Sequence, residues 1–186
     1  MAGRRFERRP SGSSGHPVIR VVVDDLAFLA TDAIVRPATV RLDSTTPAVR
    51  RLEQAGGSEF LDRIRVRKDL VVGAAVVTGA GGDLPSEFVI HAVIQSDTEP
   101  VSRTGVERAW RSALERAREW EFARLTAPVL GTGAGNLTIE DAAAIMGRVA
   151  RSHASGATFP NDVCIVVETA AELATVEAVL RTSASS

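Results

Sequence analysis

The chain of 186 residues has no tyrosine, a single cysteine, a single lysine (Lys68) and only 4% aromatic residues. Each shortage closes off a class of protein. With Cys164 alone, neither an internal disulfide framework nor a multi-cysteine zinc site can form. The three histidines, His16, His91 and His153, lie far apart and show no ligand spacing, so no metal is expected. So few aromatics leave poor stacking platforms for single-stranded nucleic acid. No run of about 18 apolar residues occurs, which excludes a membrane-spanning helix. The arginine-rich start leads into Ser and Gly rather than an apolar stretch, so a secretory signal is not expected. Arginine in place of lysine, with many alanines, points to a GC-rich genome, and the expected setting is the cytoplasm of a bacterium.

What is present describes a globular chain. Apolar residues make up 45%, charged residues 24%, and the formal net charge is −1. High net charge and low hydrophobicity, the marks of wholesale disorder, are both missing. Nucleic acid and membrane surfaces are not expected partners. Arg4, Arg5, Arg8 and Arg9 form a basic arm, and Arg63, Arg65, Arg67 and Lys68 a second cluster; both read as solvated surface. Cys164, inside VCIVVE, reads as an inert buried thiol.

Residues 1–16 carry Arg, Pro, Ser and Gly with almost nothing apolar, and are expected to be a disordered basic arm. Residues 17–182 are expected to form one domain, followed by a fraying tail. Strands are expected at 18–23, 33–35, 72–79, 88–94, 123–130 and 163–168. Helices are expected at 47–55, 58–66, 104–120, 138–154 and 170–181. The helix at 104–120 is the clearest, with Val106, Ala109, Trp110, Ala113, Leu114 and Ala117 at helical spacing. The late alternation of strand and helix requires parallel pairing, and the pair around GAGGDLP adds an antiparallel one. The predicted fold class is α/β, a three-layer α/β/α sandwich with a mixed, mostly parallel central sheet.

In open α/β sheets ligands bind beyond the carboxyl ends of strands. The most informative such end is PVLGTGAGNLTIEDAAAIM, residues 128–146. A buried strand runs into Gly131, Gly133 and Gly135, and then into a helix that Thr138 and Asp141 cap. Glycines let the backbone approach a ligand, and loop amides with a helix N-terminus make an anion site suited to phosphate. The loop lacks the Gly-Lys-Ser/Thr of a P-loop and the glycine spacing of a dinucleotide fingerprint. A plain strand–helix connection is the alternative. At the end of VIRVVV, Asp24 and Asp25 could accept from an exocyclic amine or ribose hydroxyl, or could cap the following turn. No Gly-x-Ser-x-Gly elbow occurs. His91, mid-strand in VIHAVI, reads as a satisfied core histidine, and His153 as a helix-end charge.

Four segments, VVVDDLAFLATDAIV, VVGAAVVTGAGGDLPSEFVIHAV, PVLGTGAGNLTIEDAAAIM and DVCIVVETAAELATVEAVL, together resemble the macro domain, the ADP-ribose-binding module, over about residues 18–182. The resemblance implies that Asp25 accepts the adenine amine, beside the Leu26 backbone. It implies that Gly131, Thr132, Gly133, Ala134, Gly135 and Asn136 wrap the diphosphate and distal ribose, and that Val167 and Glu168 lie at the adenine pocket. Where relatives often stack an aromatic there, this chain has none.

The chain departs from the family after Ile34-Val35. The Asn-Ala-Ala-Asn run and the glycine-rich loop are replaced by Arg36-Pro37-Ala38-Thr39 and by Ser44, Thr45, Thr46 and Pro47. Thr39 takes the place of the second asparagine, and Val49 or Arg50 that of an acidic residue used by hydrolytic relatives. Threonine has fewer donors than an amide, and Pro37 and Pro47 remove amides. The hydroxyls of Thr39, Ser44 and Thr45, with Arg36 or Arg41, could grip a different phosphate, or the loop has simply drifted. The expected partner is ADP-ribose or a related nucleotide diphosphate, free or on an ADP-ribosylated protein, with no cofactor. Efficient hydrolysis is not expected; Asp43 and Thr39 are the only catalytic candidates. Removal of ADP-ribose or of a terminal phosphate, and an interaction domain without nucleotide binding, are the alternatives.

Overall fold

The computed structural model describes residues 18–65, 70–133 and 136–183. The arm at 1–16, Arg67, Lys68, Ala134 and Gly135 lie outside the described residues. The order is β1 (Val18–Val23), a 3-10 turn (Leu26–Phe28), β2 (Ala33–Thr39), α1 (Pro47–Arg65), β3 (Ala75–Gly79), β4 (Phe88–Gln95), α2 (Arg103–Glu119), β5 (Arg124–Pro128), α3 (Ile139–Ala154), β6 (Asp162–Val167) and α4 (Ala170–Thr182). The six strands form one sheet in the order β1-β6-β5-β2-β4-β3. Every pairing is parallel except β3 with β4. This is the α/β/α sandwich with a mixed sheet.

Two expected boundaries move, each for a local reason. β2 is not the short 33–35 piece but runs to Thr39, in register with β4 from Ala33↔Phe88 onward. Pro37 is tolerated inside it because pairing with β5 covers only Ala33 and Ile34, leaving one flank without a ladder to break. β3 begins at Ala75 rather than residue 72, because Gly73 (φ 96°) turns the chain into it. The two short helices expected at 47–55 and 58–66 are present as two helical runs within Pro47–Arg65, separated at Gly57, whose φ of 62° and ψ of −158° are not helical.

The two faces of the sheet are buried differently. α2, α3 and α4 cover one face over a core that includes Trp110, Leu114, Leu125, Met146 and Ile165. The Trp110 indole N–H donates to the Met146 carbonyl at 3.0 Å, so α2 and α3 are locked by a satisfied buried polar group. α1 and the 3-10 turn cover the other face through Leu26, Leu52, Phe60, Ile64 and Val166. Cys164 lies in this second core, and burial pushes its thiol above the ordinary value. Thr138 caps α3 by accepting from Asp141 N–H at 3.2 Å, and Thr169 with Glu172 forms a full capping box on α4.

Candidate functional site

All five parallel strands point their carboxyl ends to one rim of the sheet, where the glycine loop after β5 meets the loop after β2. Gly131 (φ 89°) adopts a left-handed conformation, and a Cβ there would lie 2.8 Å from Val106 and 3.0 Å from Leu137. Gly133 faces the other loop so closely that a Cβ would come within 2.1 Å of the Thr46 methyl. The sequence pairs these two loops at no local spacing; the β5-β2 adjacency brings them together.

Backbone amides collect at this contact. Among the described residues, the N–H groups of Gly131, Thr132 and Gly133 have no acceptor, and neither has that of Ala48 in the first turn of α1. Thr46 caps α1, its hydroxyl accepting from Val49 N–H at 3.2 Å, and Pro47 follows where no N–H is needed. The Thr45 hydroxyl oxygen is buried without a partner among the described residues. A helix N-terminus facing a loop of unused amides attracts negative charge. Thr132 and Asn136 brace the loop: the Thr132 hydroxyl donates to Val129 O at 3.3 Å, and the Asn136 side chain to Val101 O at 3.0 Å.

The loop after β2 is held from below. Arg36, expected to reach a phosphate, does not face the rim; it is 0% exposed. Its Nε donates to His91 Nδ1 at 2.8 Å, one terminal nitrogen pairs with Glu53, and the other donates to the Leu42 carbonyl. The guanidinium also lies 5.4 Å from the centre of the Phe60 ring. Burial lowers the affinity of Arg36 for its proton, and the Glu53 carboxylate opposes that shift. His91 Nε2 lies 2.8 Å from the Thr78 hydroxyl, so this histidine is a satisfied core residue. Leu42, the acceptor for Arg36, has a φ of 65° and is buried. Arg41 extends outward to Asp97.

Thr39 and Asp43 sit together in the exposed part of this loop. The Thr39 hydroxyl accepts from the amides of Arg41 and Asp43, each at 3.2 Å, and donates to the Asp43 carboxylate at 3.3 Å. Ser44 bridges back to Ala38. The hydroxyl expected to replace an asparagine is therefore engaged in shaping the turn.

Asp25, Leu26, Val167 and Glu168 meet at the ends of β1 and β6. Val23 stands opposite Val167 in the parallel register, and the Asp24 amide donates to Val167 O at 3.3 Å. Both readings of Asp25 were open; the structure shows capping, with Oδ1 accepting from Ala27 N–H at 3.0 Å. Its other oxygen accepts from Arg51 Nε at 3.2 Å, and Arg51 Nη2 donates to Glu168 at 2.8 Å. Those two carboxylates, Glu168 first, raise the Arg51 pKa above its ordinary value. Sequence reasoning missed Arg51 because its partners are 26 and 117 positions away. It also missed Glu53, whose role appears only when Arg36 is seen to be buried. Among the described residues, no group of three or more His, Cys, Asp or Glu could hold a metal, and no helix is long and apolar enough to cross a membrane.

Comparison with known proteins defines the class. A family model described as Macro domain matches residues 35–146. An uncharacterized protein of Aeropyrum pernix is 33% identical over 132 residues, 69% of this chain and 68% of that one. An uncharacterized protein of Mycobacterium tuberculosis is 31% identical over 153 residues, 80% of this chain but only 42% of its own length; the chain spans less than half of that relative. Among solved structures, the Oceanobacillus iheyensis macrodomain with ADP superposes with a TM-score of 0.78 at 22% identity, covering 89% of this chain and 90% of that one. The Trypanosoma brucei macrodomain in complex with ADP-ribose gives 0.77 at 19% identity, covering 86% and 68%. The chain belongs to the macro domain family.

Proposed function

We propose that this chain is a binding module for ADP-ribose or a related nucleotide diphosphate. The observation that carries the reading is the set of unused amides on Gly131, Thr132 and Gly133, set against the N-terminus of α1 and the unpartnered Thr45 hydroxyl. The diphosphate would lie between the 44–47 loop and the amides of residues 131–133, with the base over Asp25, Leu26, Val167 and Glu168. Similarity to macrodomains crystallised with ADP and ADP-ribose supports the same ligand class. Thermal unfolding with ADP-ribose, ADP, NAD and inorganic phosphate tests it. ADP-ribose is expected to raise the midpoint and phosphate alone to do so weakly; an unmoved midpoint with all four refutes the reading.

One observation favours a second reading, an interaction domain that no longer holds a nucleotide: Gly133 packs against the Thr46 methyl, so the two loops touch. A crystal soaked with ADP-ribose separates the two, since density between the loops requires them to part. The hydrolytic alternative rests on Asp43 with Thr39 or Ser44 positioning water. Release of ADP-ribose from a modified protein, abolished in Asp43→Ala, would support it, and no turnover at high protein concentration would remove it.

A further inference from the structure

The ion triad Asp25–Arg51–Glu168 spans the ends of β1 and β6, beside the 3-10 turn that α1 covers. With phosphates at the loop after β5, a nucleotide laid along the rim crosses β6 to reach β1, two strand spacings of about 4.8 Å away. Its base then meets this triad. Two carboxylates alone would offer only acceptors, suited to an exocyclic amine. Here both Asp25 oxygens already accept, one from Ala27 N–H and one from Arg51. Arg51 uses one Nε and one Nη2 proton on its partners, which leaves three of its five N–H donors free. The chemistry presented to the base edge is thus that of a cation with spare donors.

We infer that Arg51 is the residue that sets base specificity, turning this end of the site from one that accepts an amine into one that donates to a carbonyl. The favoured ligand class is a nucleoside diphosphate whose purine carries a keto group at C6. Adenine presents an N7 acceptor beside an amine donor, whereas a keto purine presents two acceptors, the arrangement arginine forks onto. An adenine amine that reaches Asp25 or Glu168 must share the carboxylate with Arg51 and brings its own N–H donors against a cation; a keto purine accepts from that cation instead. The inference rests on the nucleotide-binding reading above.

The test compares ADP-ribose with its hypoxanthine analogue, inosine diphosphate ribose, which differs only in the C6 group and the N1 proton. Calorimetric titration of the full chain is expected to give at least threefold tighter binding of the hypoxanthine form. In Arg51→Ala the order is expected to invert, because the cation is gone and only the acceptors of Asp25 and Glu168 remain to face an amine. Arg51→Gln, which keeps a side-chain amide that can donate, is expected to fall between. Arg51 is 44% exposed, so the variants are expected to unfold within a few degrees of the parent. Tighter binding of ADP-ribose by the parent, with an unchanged ratio in both variants, overturns the inference and leaves the nucleotide reading standing. Binding of neither ligand removes both.

Discussion

Arg36 shows how a residue type misleads when read without its surroundings. In sequence it stands directly ahead of Pro37-Ala38-Thr39, just before the turn that follows β2, and suggests a phosphate grip. In the fold it is the buried brace of that turn, satisfied by His91, Glu53 and the Leu42 carbonyl. Removing one partner of a buried pair leaves the others desolvated and unpaired, which costs about 3–5 kcal/mol. Arg36→Met is expected to lose that much by urea denaturation, and Arg36→Lys to recover only part, since one ammonium cannot reproduce the planar fork. Cys164 was legible from its apolar neighbours alone. Its raised pKa means the folded state holds the thiol proton more tightly than the unfolded state. That contribution is complete below the ordinary value of 9.0 and is lost as pH rises above it. An aromatic disulfide reagent at pH 8 is therefore expected to label Cys164 only slowly in the native protein and rapidly after denaturation; equal rates would contradict its burial.

The glycine loop between β5 and α3 was the most readable element. A buried strand, three glycines and a Thr-capped helix follow from composition and spacing, because strand burial, positive φ and capping are local properties. The facing loop was not readable, because its shape depends on Arg36 beneath it and on Gly133 beside it. Substituting Gly133 by Ala places a methyl 2.1 Å from the Thr46 methyl, inside the space between the loops that a diphosphate must enter. The expected result is about tenfold weaker ADP-ribose binding, a loss of about 1.4 kcal/mol. Gly156→Ala, where nothing lies within 4 Å, is expected to leave affinity unchanged. Calorimetric titration of the two variants side by side checks both. In α1, the break at Gly57 was foreseen as a gap between helices, since a Gly-Gly pair interrupts the helical pattern.

Across the whole molecule, binding is linked to stability. A ligand that occupies only the folded state stabilises it by about 2.7 kcal/mol at a hundredfold excess over Kd. For a chain of this size each kcal/mol moves the midpoint by about 2–4 °C. A saturating ADP-ribose series is thus expected to shift unfolding by several degrees in a concentration-dependent way. The layered α/β/α architecture followed from the alternation of apolar strands and amphipathic helices, because such periodicities leave few ways to bury both faces of a sheet. The same local chemistry marks the glycine loop, the caps and the buried thiol in the sequence itself. The strand order, the meeting of residues 46 and 133, the burial of Arg36 and the triad of Asp25, Arg51 and Glu168 were decided only in three dimensions. Those contacts join residues up to 117 positions apart, and no spacing along the chain encodes which distant charges will share one rim.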